Sequence, residues 1–261
     1  MAAKKQKKFS DGSTIDAKDL QQFEALGEKW WDESGPMKPL HKLNPTRLDY
    51  LRRMACAHFG LDDRKIGALT GISALDIGCG GGLVTEPLCR MGATVTGVDA
   101  GPENIRVAKA HAKAAGLITK AEGLTIDYQA TTAEALAAAG KKYDLVTALE
   151  IVEHVADVPL FLQSCAALVK PGGMLIVSTL NRTPKSFMLG IVAAEYILRW
   201  LPTGTHNWKK FLKPSEIATP LARSGLKVTD VRGLVYNPLT RQFSLSADDL
   251  DVNYFLTAVK K

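Results

Sequence analysis

Cysteine is scarce. The four in 261 residues, Cys56, Cys79, Cys89 and Cys165, form no C-x-x-C pair and lack the spacing of a zinc site or disulfide framework. Stapled and thiolate-metal architectures are therefore excluded, and reduced thiols are the simplest account. No apolar run reaches the ~18 residues of a spanning helix, and the lysine-rich start Met1–Gly12 is not followed by the apolar stretch of a secretory signal. Neither export nor transmembrane insertion is expected. Internal repeats with periods of about 20–50 residues are missing too, which removes solenoids and propellers. Charge of one sign is thin in the body: the formal net charge is +6, and six lysines at positions 4, 5, 7, 8, 260 and 261 equal that surplus. A basic face for nucleic acid is therefore not indicated. What remains is a chain 46% hydrophobic and 23% charged, suited to one sizeable globular domain with appended segments.

Lysines and the turn-forming Ser10-Asp11-Gly12-Ser13 mark residues 1–14 as a flexible basic tail. Beyond it, residues 15–261 read as a single domain. Apolar residues at three- and four-residue steps predict a helix over Ile15–Trp31 and a second over Thr46–Phe59. Between them the three prolines of Gly35–Pro45 predict a shaped loop. Residues 15–60 would then form a helical cap. From residue 73 short apolar runs alternate with helical stretches: Ala74–Ile77, Thr94–Val98, Thr125–Gln129, Tyr143–Leu149 and Met174–Thr179 read as five strands. Such alternation predicts an α/β fold with a parallel sheet and crossover helices. Lys170-Pro171-Gly172-Gly173 reads as a turn, Pro214-Ser215-Glu216 as a capped helix start, and Leu226–Val231 and Tyr254–Val259 as two later strands at the far edge.

The segment Leu75-Asp76-Ile77-Gly78-Cys79-Gly80-Gly81-Gly82-Leu83 ends a strand and opens a helix, leaving bare backbone for a ligand to approach. The next strand ends in Asp99, 17 residues past Gly82. A carboxylate at that place accepts from the two vicinal hydroxyls of a ribose, so loop and acid together point to a nucleoside ligand. Leu83 stands where a dinucleotide fingerprint would carry its third glycine or alanine, which disfavours a nicotinamide nucleotide. The loop resembles the binding motif of class I S-adenosylmethionine-dependent methyltransferases, as do Tyr143-Asp144-Leu145-Val146 and Leu168–Gly173. The resemblance implies a Rossmann-like, mostly parallel seven-stranded sheet with helices on both faces. It also implies cofactor contacts from Gly78, from Asp99 at the ribose, and from Leu149 near the sulfonium.

Leu149-Glu150-Ile151-Val152-Glu153-His154-Val155 follows the fourth strand, at the end of the sheet where such folds react their substrates. A helix there would set Glu150, Glu153 and His154 on one face at i, i+3 and i+4. Two oxygens and a nitrogen could hold a divalent metal, Mg²⁺ or Zn²⁺; His154 could act as a base directly; or the acids could simply favour a helix start. Methyl transfer to a phenol needs the phenolate. With a pKa of about 10, a phenol is only about 0.1% ionised at pH 7, a deficit of roughly 4 kcal/mol. A metal or a base would supply it. His41, His58, His111 and His206 read as structural or surface residues.

Asn44–Leu48, Gly78–Gly82, Glu150–His154, Ser178–Arg182, Ala194–Leu198, Gly204–His206 and Asp251–Tyr254 together closely resemble the ubiquinone-biosynthesis O-methyltransferases, across residues 15–259. The resemblance implies two O-methylations, one on a polyprenyl catechol-type intermediate and one on 3-demethylubiquinol. It further implies a cytoplasmic enzyme peripherally associated with the inner membrane, with other enzymes of ubiquinone biosynthesis as candidate partners. Arg47 matches the family's cofactor-contacting arginine, whose fork suits the methionyl carboxylate. The rivals are another small-phenol methyltransferase and a non-catalytic module binding lipid and cofactor. No Asn-Pro-Pro-aromatic string lies near residues 147–153, which counts against an RNA base methyltransferase.

About thirty residues separate Asn181 from Pro214, against the 2–6 or so usual for loops of such folds. Within the insertion, 183–213, Phe187–Leu201 is apolar around most of a helix, with Glu195 and Arg199 on a narrow polar strip. Fifteen residues reach about 22 Å, short of a bilayer's roughly 30 Å core. The segment suits either the membrane lipid surface, with Trp200 and nearby lysines as anchors, or a lid packed on the protein's own sheet.

Overall fold

The computed structural model describes residues 12–117, 126–188 and 207–261. Its sheet has eight strands: β1 (Ser73–Ile77), β2 (Thr94–Asp99), β3 (Ile126–Ala130), β4 (Tyr143–Leu149), β5 (Val169–Leu180), β6 (Leu226–Asn237), β7 (Gln242–Ser246) and β8 (Asn253–Lys260). They lie in the order β3-β2-β1-β4-β5-β8-β6-β7. The first five are mutually parallel, as their alternation with helices requires, whereas β8 runs antiparallel between β5 and β6. The expected sheet of seven strands thus gains one, β7, a short hairpin partner of β6. Its sequence Gln-Phe-Ser-Leu-Ser alternates over only five residues, too brief a signal to stand out. The strand at Tyr254 lies inside the sheet, not at its edge, and residues 254–258 are all buried.

Helices cover both faces. The crossovers carry α3 (Thr85–Arg90), α4 (Pro102–Ala114), α5 (Ala133–Ala138) and α6 (Val158–Leu168); the last two begin under the side-chain caps Thr132 and Asp157. One core cluster joins Leu51, Leu69, Leu88, Val95 and Phe255, and the other joins Leu75, Val146, Leu162, Leu175 and Tyr254. Strands buried on both faces read as largely apolar runs, which is why β1, β4 and β5 were legible despite Asp76 in β1 and Asp144 in β4.

Four expectations need correction. The helix expected over Ile15–Trp31 is α1 (Ala17–Glu24) followed by a 3-10 turn, Gly27–Trp31, because Gly27 takes a left-handed φ of 52°. The expected loop Gly35–Pro45 is largely helix: α2 runs from Lys38 to Phe59. Pro39 sits in its first turn, where an N–H would lack a partner anyway. Pro45 forfeits an interior bond, a cost of about 3 kcal/mol, and the burial of Leu43, Arg47, Tyr50 and Leu51 along the same helix offsets it. At the helix α8 (Pro214–Arg223), the carboxylate of Glu216 accepts from the Lys213 N–H at 2.8 Å, so Ser215 is not the cap. Lys170–Gly173 lies within β5, which bends around an irregularity opposite Tyr143–Leu145.

Two anchors hold the cap on the sheet. The buried Tyr50 hydroxyl donates to Asp230 Oδ2 (2.9 Å), pairs with Thr257 Oγ1 (2.8 Å), and its ring stacks on Phe255. Thr46 Oγ1 donates to the Phe243 carbonyl of β7. Phe187 and Met188, after the short α7 (Pro184–Ser186), are exposed, and the Phe187 ring lies edge-on to Trp208. The rest of the helix expected over residues 187–201, and His206, lie outside the described residues. No helix among the described residues is long and apolar enough to cross a membrane.

Candidate active site

At the carboxyl ends of β1, β2 and β4, where the strand order reverses, one cavity is lined by Arg47, Gly78, Asp99, Leu149, Glu150 and His154. A switch point is where an open α/β sheet leaves a crevice. Residues distant in sequence therefore meet there. Glu153 is not on its wall.

Gly78 turns the loop with φ 71°, and a Cβ there would stand 2.7 Å from Ile151 Cγ1. At Gly80, φ 52°, it would stand 2.4 Å from the Trp30 ring. The bare backbone is thus pressed by the protein's own Trp30 and Ile151 as well as open to the cavity, a role for glycine that the motif alone did not reveal. Trp30 Nε1 donates to Asn104 Oδ1 (3.0 Å), and Asn104 Nδ2 donates to Asp99 Oδ1 (3.0 Å). Asp99 also accepts from the Gly80 and Gly101 N–H groups at 3.0 and 2.8 Å. Burial raises its pKa, and these three bonds act against the rise. Asp76 lies beneath, accepting from Thr85 Oγ1 (2.7 Å) and Thr147 Oγ1 (2.9 Å), and ties β1 to β4 and α3. Burial raises its pKa as well.

Arg47 projects from α2 and is 3% exposed. Among the described residues its hydrogen bonds go to Asn44 Oδ1 alone, at 3.1 and 2.8 Å. Burial lowers its pKa, against the charges of Glu150 and Asp76. A buried guanidinium with one neutral acceptor keeps donors for an anion in the cavity.

Glu150 adopts φ 53°, uncommon for a residue with a Cβ and costing about 1–2 kcal/mol. Its carboxylate accepts from Ser178 Oγ (2.6 Å) and from Asn253 Nδ2 (3.0 Å). After it, Val152–His154 is a single 3-10 turn. The expected helical face at i, i+3 and i+4 therefore does not form. Glu153 turns inward, 4% exposed, and accepts from Thr179 Oγ1 at 2.9 Å. Burial, then the neighbouring Glu150 charge, raises its pKa to about 7. His154 turns to the cavity, with Nδ1 2.9 Å from Asp19 Oδ2 and the ring edge-on to Phe23. Burial would lower its pKa, but the Asp19 hydrogen bond and the Glu153 and Asp19 charges outweigh it and leave the imidazole more basic than usual.

The Mg²⁺ or Zn²⁺ centre expected at Glu150, Glu153 and His154 finds no support in this geometry. Each side chain is committed to a different partner, and no three His, Cys, Asp or Glu side chains among the described residues are placed to ligate one ion. Asp19, Phe23 and Trp30 are the site residues that sequence reasoning missed, because nothing local distinguishes them from the surface and core residues of an amphipathic segment.

The strand order, the glycine loop and the acid ending β2 define a class I S-adenosylmethionine-dependent methyltransferase. Residues 75–177 match the family described as a methyltransferase domain. Among solved structures, a magnesium protoporphyrin IX methyltransferase from Synechocystis with bound SAH shares the fold at a TM-score of 0.57 and 22% identity over 82% of each chain. A methyltransferase from Thermotoga maritima, possibly acting on histamine by its own description, has a TM-score of 0.61 at 16% identity and covers 93% of this chain and 100% of that one. Sequence relatives are far nearer. The ubiquinone biosynthesis O-methyltransferase of Rhizobium etli is 51% identical over 94% of this chain and 96% of its own, and that of Dinoroseobacter shibae is 50% identical over 95% and 97%. The chain belongs to the family of ubiquinone biosynthesis O-methyltransferases.

Proposed function

We propose that the protein transfers a methyl group from S-adenosylmethionine to phenolic hydroxyls of polyprenyl catechol-type intermediates and of 3-demethylubiquinol. The observation that carries this reading is one cavity walled by Arg47, Asp99 and His154, in a chain with ~50% identical relatives of that name. Arg47 would hold the methionyl carboxylate, Asp99 the ribose, and Gly78 and Leu149 the backbone side and the sulfonium region. The cradle fits that ligand: bare main chain at 78, a carboxylate at 99, and a buried guanidinium with donors to spare. When bound, S-adenosylmethionine supplies a sulfonium-activated methyl whose sulfur leaves neutral, so the residues need only ionise and orient the acceptor.

His154 takes the phenolic proton. With Nδ1 committed to Asp19, Nε2 is the nitrogen left for substrate. The imidazolium formed is stabilised by the Asp19 carboxylate, and the buried, Phe23-lined surroundings keep water from the phenolate. Glu150 and Glu153 act through placement: Glu150 fixes the turn after β4, and Glu153, bonded to Thr179 Oγ1, anchors the 3-10 turn that bears His154.

The protein works at the cytoplasmic face of the inner membrane as a peripheral enzyme. The apolar sequence 187–201 serves the lipid surface or the prenyl tail, and other enzymes of the pathway are candidate partners. The exposed Phe187 and Met188 support that side as the lipid-facing one. Purified protein, labelled S-adenosylmethionine and a prenylated catechol test the reaction. His154→Gln should lower kcat about 10²–10⁴-fold and leave affinity for S-adenosylhomocysteine intact. A chelator that abolishes turnover would restore the metal.

A further inference from the structure

We infer that Asp19 is a positioning residue that holds the imidazole of His154 in its working tautomer, an inference that rests on His154 being the base. Asp19 comes from the N-terminal cap, 135 positions away in the chain, yet its Oδ2 lies 2.9 Å from His154 Nδ1. The two side chains are 15% and 13% exposed. The approach is built from several independent contacts. Ile15 forms an antiparallel bridge with Val155, the Ala156 N–H donates to the Thr14 carbonyl (2.8 Å), and Thr14 Oγ1 donates to Glu134 Oε1 (2.7 Å). Phe23, one turn on from Asp19 along α1, sets its ring perpendicular to the imidazole at 4.9 Å. Residues 14–23 thus form a strap across the turn that bears the base.

The carboxylate is itself fixed. Lys210, at the root of the long insertion, donates to Asp19 Oδ2 (3.0 Å) and to Asp16 Oδ2 (2.9 Å). An ionised carboxylate only accepts, so the neutral imidazole must donate from Nδ1. Nε2 then carries the lone pair, and among the described residues no hydrogen bond claims it. A strap needed only for stability could hold any side chain there, whereas an acid at this place dictates the tautomer. Asp19 belongs to no sequence motif and meets His154 only in the fold.

The test is Asp19→Asn in the full chain, with Asp19→Glu as the conservative variant and His154→Gln alongside. The Asn amide can donate to Nδ1 and drive the proton to Nε2. The expected result is a kcat loss of about 10²–10⁴-fold. The KM for the acceptor and affinity for S-adenosylhomocysteine should stay within about twofold, and Asp19→Glu should recover part of the rate. In ¹⁵N NMR of the S-adenosylhomocysteine complex, neutral His154 should carry its proton on Nδ1 in the natural protein and on Nε2 in Asp19→Asn. An Nε2–H tautomer in the natural protein, or unchanged kcat in Asp19→Asn, overturns the inference. The spectrum reads the Asp19 contact without turnover, whereas full activity in His154→Gln would instead remove the base.

Discussion

Replacing Glu153 by Gln should change how stability depends on pH. Glu153 is 4% exposed and bonded to Thr179 Oγ1. Its pKa rises from an ordinary 4.5 to about 7, because burial penalises the charge and Glu150 lies close. A carboxyl with a higher pKa in the fold than in the unfolded chain favours the fold while protonated. That stabilisation is complete below about 4.5 and is lost as pH rises through about 7. At about 1.4 kcal/mol per pH unit, the ceiling on the loss is about 3 kcal/mol. For a chain of this length each kcal/mol moves Tm by about 2–4 °C, so the ceiling is about 6–12 °C between pH 5 and pH 8. Gln keeps the shape and an acceptor for Thr179 but cannot ionise. Thermal unfolding of the natural protein and Glu153→Gln at half-unit steps from pH 5 to 8.5 gives the difference. The variant's relative stability should therefore climb with pH whatever its absolute level. Parallel curves would refute a buried, neutral Glu153.

Three further outcomes follow from the same contacts. Gly80→Ala must displace the Trp30 ring, 2.4 Å from the new Cβ, and so loosen Asn104 on Asp99. Calorimetry should find S-adenosylhomocysteine bound at least about tenfold more weakly, and a change under twofold would contradict the packing. Arg47→Met removes a buried charge that has one neutral acceptor. Its Tm should hold or rise while cofactor affinity falls about 100-fold or more, and a large loss of Tm with binding intact would reverse the assignment. Tyr50→Phe breaks the bonds to Asp230 and Thr257. It should cost about 1–3 kcal/mol, seen as a lower Tm with KM unchanged; a normal Tm would mean the cap is held elsewhere.

The sequence made the centre of the fold legible and its margins much less so. Strands β1, β4 and β5 announce themselves because burial on both faces leaves largely apolar runs, and Gly78, Asp99 and Leu149 stand at or just past strand ends, with His154 in the turn after β4, where the α/β architecture puts its crevice. Pro39 and Pro45 misled because local proline chemistry argued for a loop, while the packing of Leu43, Tyr50 and Leu51 decided for helix. The supposed metal face at Glu150, Glu153 and His154 assumed helical spacing. The left-handed φ of Glu150 and the single 3-10 turn after it replace that helix, and the three side chains bond to different partners: Glu150 to Ser178 and Asn253, Glu153 to Thr179, His154 to Asp19. The part played by Asp19 and Trp30 is likewise tertiary: both reach the site from a cap that the glycine motif does not mention.

The central claim is that this cavity ionises a prenylated catechol beside a sulfonium methyl. Incubating the purified protein with methyl-labelled S-adenosylmethionine and a prenylated catechol, with chelator present, measures it most directly. Label appearing as the catechol's methyl ether, and abolished in His154→Gln, is the result these contacts predict. No label in the catechol with or without added Mg²⁺ or Zn²⁺, from protein that binds S-adenosylhomocysteine, would contradict it.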